Sequence, residues 1–587
     1  MSASAAAPEN TFTPSREGAK KTSEYTFWIA CFIFAATPLG LLTEVFLSHD
    51  VMPKVILVLC GAAALLVLLP QWGGGIGRPF LWLAMAQAAV LVVSTLFSDQ
   101  PLLSFVGTTW RRYGTIEQLA TLVVACCLAA LVAERPERAR ALWRAVVACA
   151  GVASVYGIAQ YFGIDPFLEQ RLYAIDYLGG IVRPPATMGH AIYYSAYLVP
   201  VILIAAWQAG IETQWAWRAM HGATVVLGPV AILLSGSRGA LLGLAAGCVV
   251  LLAYRRPPMK LIGAGVGALL VVGAFVALAP MGQSVRNRIR QWKEDPGSVR
   301  LAVWRETPGL IAKAPLLGSG PETFAGAFRK VESAELARAY PDFINETPHN
   351  VFVDAACEEG LDGLLILVGL FWVGFRAGGS PGLRAAIVGM AICGLFASLS
   401  LVMGMYLWGI VGIAVTGGQA SRRVSTRHAG VLAPQFAGIA FVGVAVLLVV
   451  QDAAYARLQD AVDDKELAGA KKALVVATSF GVGLPGYELF ASQEMAKLKA
   501  WNEADEAAEL AEQRGEDRAS AAYQRSILAI VNRDAAGAAA SADAAIALAP
   551  NWYKPHLLKA QIFQAMGKEA ESAAEARLSL TLGWKGK

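Results

Sequence analysis

The sequence predicts an all-α protein: a polytopic membrane helix bundle of about 12–13 spans with a large outer loop, followed by a soluble α-helical repeat domain. Three observations carry this. Only 16% of the 587 residues are charged while 56% are hydrophobic, against roughly 25% charged in soluble domains. The apolar residues come in repeated runs of about 20, the length that crosses a bilayer as a helix. Residues 451–587 hold 16 Lys+Arg and 19 Asp+Glu, leaving 33 and 25 for the first 450. A sparsely charged membrane part therefore precedes a tail of ordinary soluble composition. The net charge of +5 sums a basic first part and an acidic second one, which gives no reason to expect nucleic-acid binding.

Residues 1–24 are polar and read as a cytoplasmic N-terminal tail, with Arg16, Lys20 and Lys21 just before the apolar run Tyr25 to Phe46. That run is long enough to span, so it is a retained first helix rather than a cleaved signal peptide. Further spans fall near 53–70, 79–97, 115–133, 143–162, 190–208, 219–235, 239–254, 261–279, 350–375, 384–402, 405–419 and 430–450. These make a membrane domain over residues 25–450, with 451–587 as the soluble domain. The segment 219–254 is either two short helices joined by a tight turn at Ser235-Gly-Ser-Arg-Gly239 or one helix with a polar break, and the parity of every later span depends on which.

Orientation follows from the short loops. Arg78, the group Arg135, Arg138, Arg140 and Arg144, then Arg218, Arg255 with Arg256 and Lys260, Arg376 with Arg384, and Arg422, Arg423 and Arg427 fall on alternate loops. These loops are expected in the cytoplasm. The loops 98–114 and 163–189, the Ser235–Arg238 turn, a long segment of about 280–349 and the tail then share the other side. In a bacterial inner membrane that side is the periplasm. The eight cysteines lie in or beside apolar runs and show no metal-ligand spacing, so they read as buried apolar residues.

Arg111, Arg112, Arg183, Arg238, Arg300 and Arg305 stand on the outer side, where the positive-inside rule gives them no topogenic role. Arg300 and Trp304 are four apart in an amphipathic segment and share a helical face. A glycine-rich turn, Pro315-Leu-Leu-Gly-Ser-Gly-Pro321, follows, then Pro348-His349-Asn350 at the mouth of a span and Glu358-Glu359-Gly-Leu-Asp-Gly363 further in. A guanidinium forks onto two oxygens at once, so two or three arginines form a candidate clamp for a diphosphate lipid headgroup. An imidazole accepts a proton near neutral pH and suits a hydroxyl acceptor. The pattern suggests transfer of a group from an anionic lipid-linked donor. The plainer alternatives are that His349 caps or orients the helix after it, and that the acids are solvated at a helix end.

Together these residues resemble the O-antigen ligase and O-antigen polymerase superfamily: Arg238 in Ser-Gly-Ser-Arg-Gly, Arg300-x-x-x-Trp304, the Pro315–Pro321 turn, and His349-Asn350 followed by Glu359-Gly-Leu-Asp-Gly. Gly107 to Gly114, with Arg111 and Arg112, and Arg183-Pro-Pro-Ala-Thr-Met-Gly-His190 extend the likeness over roughly residues 95–420. The resemblance implies a polytopic glycosyltransferase that takes a glycan from undecaprenyl diphosphate at the periplasmic face, without nucleotide sugar, metal or other cofactor, and with inversion. By that analogy Arg238 and Arg300 contact the diphosphate, with Arg305 and Arg183 as weaker candidates for the same work, and His349 is the general base. Arg112, Trp304, Asn350 and Glu359 are supporting candidates. His190 departs from the family pattern, where relatives often have asparagines, and receives no role. The outer loops hold no Asp-x-Asp-like pair, in keeping with metal independence.

In the tail, Ala545-Ile-Ala-Leu-Ala-Pro-Asn-Trp-Tyr-Lys-Pro555 followed by Leu558, Ala560, Phe563 and Gly567 resembles a tetratricopeptide repeat. Degenerate helix pairs are expected near 455–478, 486–513 and 518–547. Such repeats build docking surfaces for protein partners, although the tail could also simply cover the membrane domain. The first functional reading is ligase-like transfer to an acceptor hydroxyl such as that of lipid A core. An O-antigen or exopolysaccharide polymerase and a protein O-oligosaccharyltransferase share its donor chemistry and differ in acceptor. A transporter or flippase would show paired half-domains and mid-membrane charges, and a non-catalytic envelope-assembly scaffold would not need the arginines or His349.

Overall fold

The computed structural model describes residues 16–68, 75–175, 181–255, 283–294, 298–377, 379–418, 423–425, 432–480 and 483–585, with a few positions between 256 and 282. The described residues are helical almost throughout. The first half contains α1 (Arg16–Ala36), α2 (Met52–Leu68), α3 (Arg78–Leu96), α4 (Pro101–Val106), α5 (Thr115–Glu134), α6 (Arg138–Tyr161), α7 (Ala191–Gln208), α8 (Trp215–Ser235) and α9 (Arg238–Arg255). A layer of short helices follows: α10 (Gln283–Glu294), α11 (Ser298–Ile311), α12 (Phe324–Arg329) and α13 (Ala334–Ala339). The chain then re-enters the bundle as α14 (Val351–Glu358), α15 (Gly360–Ala377), α16 (Pro381–Gly394), α17 (Leu401–Gly418) and α18 (Leu432–Asp463). Two small antiparallel pairs, β1 (Gly75–Gly77) with β4 (Arg423–Ser425) and β2 (Ala174–Ile175) with β3 (Ile181–Val182), tie loops together.

Eight of these helices, α3, α5 to α9, α15 and α18, are long and apolar enough to cross a membrane, while α2 and α16 are apolar but shorter and α17 is apolar over Leu401–Gly417. This is a multi-pass membrane protein. The span expected at 261–279 lies outside the described residues but for isolated positions, as do residues 1–15. α1 begins nine residues before the expected Tyr25, and within that added stretch Ser23 and Glu24 accept from Arg138 at 3.0 and 3.1 Å. It stops at Ala36, where Pro38 imposes a 3-10 turn.

Contacts between helices fix which ends coincide. Arg138 meets Glu24, Arg144 grips Glu212 through Nε and Nη2 at 2.9 and 2.8 Å, Arg255 lies over the Trp207 ring, and Arg384 donates to the Tyr254 hydroxyl at 2.8 Å. The basic loops predicted to share a side therefore gather at one end of the bundle. At the opposite end α8 closes on Gly236, whose φ of 70° is the left-handed conformation that glycine adopts without penalty, and α9 starts two residues later. Since α8 starts and α9 ends near the C-terminus of α7, the chain reverses here, and the two-helix reading of 219–254 holds. α9 then packs on α16 through Gly243 and Gly247, one helical turn apart, while Gly239 meets Phe396 just beyond the end of α16. A Cβ at Gly243 or Gly247 would strike the carbonyl oxygens of Gly389 or Ala385, so the two backbones touch as small-residue membrane interfaces do.

The single span expected over 350–375 is broken at Glu359–Gly360. The glycine-rich turn packs against the break: Ser319 N–H and Gly320 N–H donate to the carbonyls of Cys357 and Glu358, each at 2.9 Å, and Leu361 N–H to that of Pro315 at 2.8 Å. Gly318 and Gly360 both have positive φ, and a Cβ on either would overlap the facing backbone. Two backbones thus satisfy each other where a straight helix would leave no room. The span expected at 384–402 likewise ends at Gly394, and residues 395–400 are not helical.

Beyond the bundle, α18 runs unbroken from Leu432 to Asp463, across the composition change at residue 450. Four helix pairs follow in order: the end of α18 with α19 (Leu467–Ser479), α20 (Glu488–Lys497) with α21 (Trp501–Arg514), α22 (Arg518–Val531) with α23 (Ala535–Leu548), and α24 (Tyr553–Ala565) with α25 (Glu569–Thr581). Buried alanines such as Ala470, Ala504, Ala508, Ala522, Ala538 and Ala542 let them pack closely. The tail sits on the loop-bearing end: Tyr553 and Lys554 reach Asp342 at 3.1 and 3.0 Å, Asn551 donates to the Glu332 carbonyl at 2.7 Å, and Arg329 pairs with Asp517 at 2.8 Å.

Candidate active site

At the loop-bearing end, three arginines from distant parts of the sequence line one cleft. Arg183 comes from the β3–α7 connection, Arg238 from the first turn of α9, and Arg300 from α11, with Trp304 one turn further on. The cleft measures about 290 Å³, and Ile192, Leu242, Leu301 and Phe396 form its apolar walls. Leu242 and Leu301 are each 52% exposed, so the cleft opens beside apolar surface. Arg300 Nη1 donates to the Phe396 carbonyl and Arg183 Nε to the Ser235 carbonyl, both at 3.4 Å. One N–H of each guanidinium is thus committed to the backbone, which sets the plane of the group.

His349 does not line the cleft but has two of its arginines, Arg300 and Arg183, as charged neighbours. Trp304 Nε1 donates to the Pro348 carbonyl at 2.8 Å, linking the cleft wall to the residue before it. The φ of His349 is 51°, a left-handed conformation uncommon outside glycine. Thr347 holds it there: Thr347 Oγ1 accepts the His349 backbone N–H at 3.2 Å and lies 3.3 Å from ring Nδ1. A hydroxyl has two lone pairs, so Thr347 can take both N–H groups. With the ring proton on Nδ1 in that bond, the Nε2 lone pair is left for a substrate; with the hydroxyl donating to Nδ1 instead, the proton sits on Nε2. Burial first, then the positive charge of Arg300 and the neighbouring His190, push this imidazole down to about 3. It is unprotonated across the physiological range. Since kcat/KM reports the free enzyme, the acid limb of its pH profile is expected well below the ordinary imidazole value near 6.5. A limb at 6 to 7 would show a different base.

His190, which the sequence left without a role, belongs here as well. Its Nδ1 accepts the Ile192 N–H at 3.2 Å and caps α7, as the oxygen of an asparagine would. The ring's proton then sits on Nε2. Arg183 and Arg300 are its charged neighbours.

Other candidates lie elsewhere. Asn350 is a helix cap, its Oδ1 accepting from Phe352 N–H and Val353 N–H at 3.0 and 3.4 Å. Arg305 follows Trp304, about 100° around the helix, and is exposed outside the cleft. Arg112 is buried, and its Nη1 donates to the carbonyls of Gly107 and Pro485, each at 3.3 Å, pinning the tail. Glu359 accepts from Gln87 at 2.8 Å inside the bundle. These four do not line the arginine cleft, because capping, helical phase and a neighbouring domain, none visible in chain order, decide where they point.

Arg111 instead organises a buried cluster, pairing with Glu322, with Asp354 at 3.2 Å and with Glu358 at 3.7 Å. It locks the 107–114 loop to α14, the helix that starts two residues after His349. Arg111→Met leaves buried carboxylates without their counter-charge and is expected to cost about 3–5 kcal/mol. A thermal melt in detergent would check this, with Glu322→Gln the milder change.

The fold and cleft define a polytopic helical membrane protein with clustered cationic groups at one membrane surface. Residues 223–368 match a protein-family model, Wzy_C, described as O-antigen ligase. That segment contains Arg238, Arg300, Trp304 and His349, and its match supports a relationship to the O-antigen ligase and polymerase superfamily and a glycan-transfer role of ligase or polymerase type. The match covers about a quarter of the chain and does not reach Arg183, His190 or the tail. A comparison with curated proteins found no match.

Proposed function

We propose that the protein transfers a glycan from undecaprenyl diphosphate to an acceptor hydroxyl at the periplasmic face of a bacterial inner membrane, in ligase-like fashion. The observation that carries this reading is the convergence of Arg183, Arg238 and Arg300 on one cleft beside His349. A diphosphate leaving group gathers negative charge as its bond to the anomeric carbon breaks. Guanidinium groups fixed in a poorly hydrated cleft meet that charge without reorganising. The apolar walls formed by Leu242 and Leu301 suit an isoprenoid chain lying alongside in lipid.

His349 Nε2 takes the proton of the acceptor hydroxyl as its oxygen attacks opposite the diphosphate, so configuration inverts. The charges of Arg300 and Arg183, which add to burial in holding this imidazole neutral, are offset when the diphosphate binds. His349 becomes a stronger base when a donor is present. The tail, read as tetratricopeptide-like, lies on the same side as the cleft.

The test is reconstitution of the full chain in nanodiscs with an undecaprenyl-diphosphate oligosaccharide and lipid A core, repeat-unit and serine-peptide acceptors. Product with inverted anomeric configuration is expected. No transfer to any acceptor, or retained configuration, overturns the reading.

A further inference from the structure

A second cavity, of about 140 Å³, lies between the loop layer and the tail. Trp110, Gly326, Lys330 and Glu346 line it from the membrane part, and Arg518 at the start of α22 lines it from the tail. The Arg329–Asp517 ion pair, at 2.8 Å, closes one side. The segment from Ile344 to His349 leads from this cavity to Trp304 in the wall of the arginine cleft. Ile344 and Glu346 face the cavity, while the Pro348 carbonyl is bonded to Trp304 of the cleft wall at 2.8 Å. Glu346 is three residues from His349, at most about 10 Å along the chain.

We propose that this cavity is the acceptor subsite, that it holds a sugar residue of a glycan acceptor, and that the tail contributes to acceptor choice by forming one wall. The inference rests on the transfer reading above. Its chemistry favours a sugar: an aromatic face in Trp110 beside side chains that both donate and accept matches a ring with apolar faces and hydroxyls that do both. A polypeptide acceptor would call for a sheet edge or a long apolar groove, and this small, mixed concavity offers neither. The arrangement puts donor and acceptor at opposite ends of the segment that carries the base.

Photolabelling of the full chain in nanodiscs, with no donor present, tests this. The probes are a diazirine-tagged lipid A core oligosaccharide, a diazirine-tagged oligosaccharide released from the donor lipid, and a diazirine-tagged serine peptide. An oligosaccharide is expected to label residues 100–110, 322–330, 344–346 or 516–519. Gly326→Trp, at a position where a Cβ meets only the Gln100 amide, at 3.5 Å, is expected to reduce labelling at least tenfold, and Lys330→Ala several-fold. In the transfer assay Gly326→Trp should raise the acceptor KM and leave that of the donor unchanged. Labelling by the peptide alone, labelling elsewhere on the tail, or labelling that neither variant weakens overturns the subsite. Because labelling needs no turnover, cavity labelling without transfer would sink the enzymatic reading and with it the acceptor role, leaving a sugar-binding cavity, and transfer with labelling elsewhere would sink only the subsite.

Discussion

His349→Ala is expected to lower glycan transfer by about 10²–10⁴-fold, the range lost when a positioned general base is removed. Binding of the lipid-linked donor should hold, because the arginines of the cleft are anchored independently of the ring: Arg300 to the Phe396 carbonyl and Arg183 to that of Ser235. The fold should hold too, since α14 is capped by Asn350 and not by the histidine. The measurement is single-turnover transfer at saturating donor, paired with donor binding by the same preparation. Transfer within tenfold of wild type would remove His349 from the chemistry and return it to the role of a loop residue.

Arg300→Ala is expected to cost about 10²–10³-fold in transfer, as loss of one fixed donor to a developing charge does. Donor KM should rise as well, because the guanidinium touches the diphosphate before and during departure. Arg300→Lys should recover only part of the loss. An ammonium restores the charge but not the planar fork that is held by Phe396 and aimed into the cleft. If lysine restores full activity, the residue acts through net charge alone. If alanine has no effect, the cleft is not the donor site.

Much of this was legible in the chain because charge placement in a membrane protein is costly and therefore informative. Basic residues on alternate loops predicted which ends gather together, and the pairs Arg138–Glu24, Arg144–Glu212 and Arg384–Tyr254 show them doing so. The arginines exempt from that pattern pointed to the loop-bearing end, and Arg183, Arg238 and Arg300 meet there. What sequence could not supply was azimuth. Arg300 and Arg305 differ by five positions and face different surroundings, and Arg111 and Arg112 are adjacent yet serve an acidic cluster and the tail. Hydropathy also reads continuous apolar stretches as continuous helices. It passed over the break at Gly360, which the glycine-rich turn creates by packing against it from 40 residues upstream. His190 was hidden for another reason: its backbone-capping nitrogen and its position beside Arg183 and Arg300 are facts of tertiary structure.

The continuity of α18 has a geometric consequence. With no joint between Leu432 and Asp463, the tail is mounted on a rigid shaft whose angle is set by residue count. One alanine inserted after residue 450 turns everything beyond it by about 100° and lifts it about 1.5 Å. That would swing Arg518 and Asp517 off the loop layer, whereas seven inserted residues restore the angle to within about 20° and lift the tail by about 10 Å. Activity that fails with one residue and also with seven would mean that the machine reads height as well as rotation.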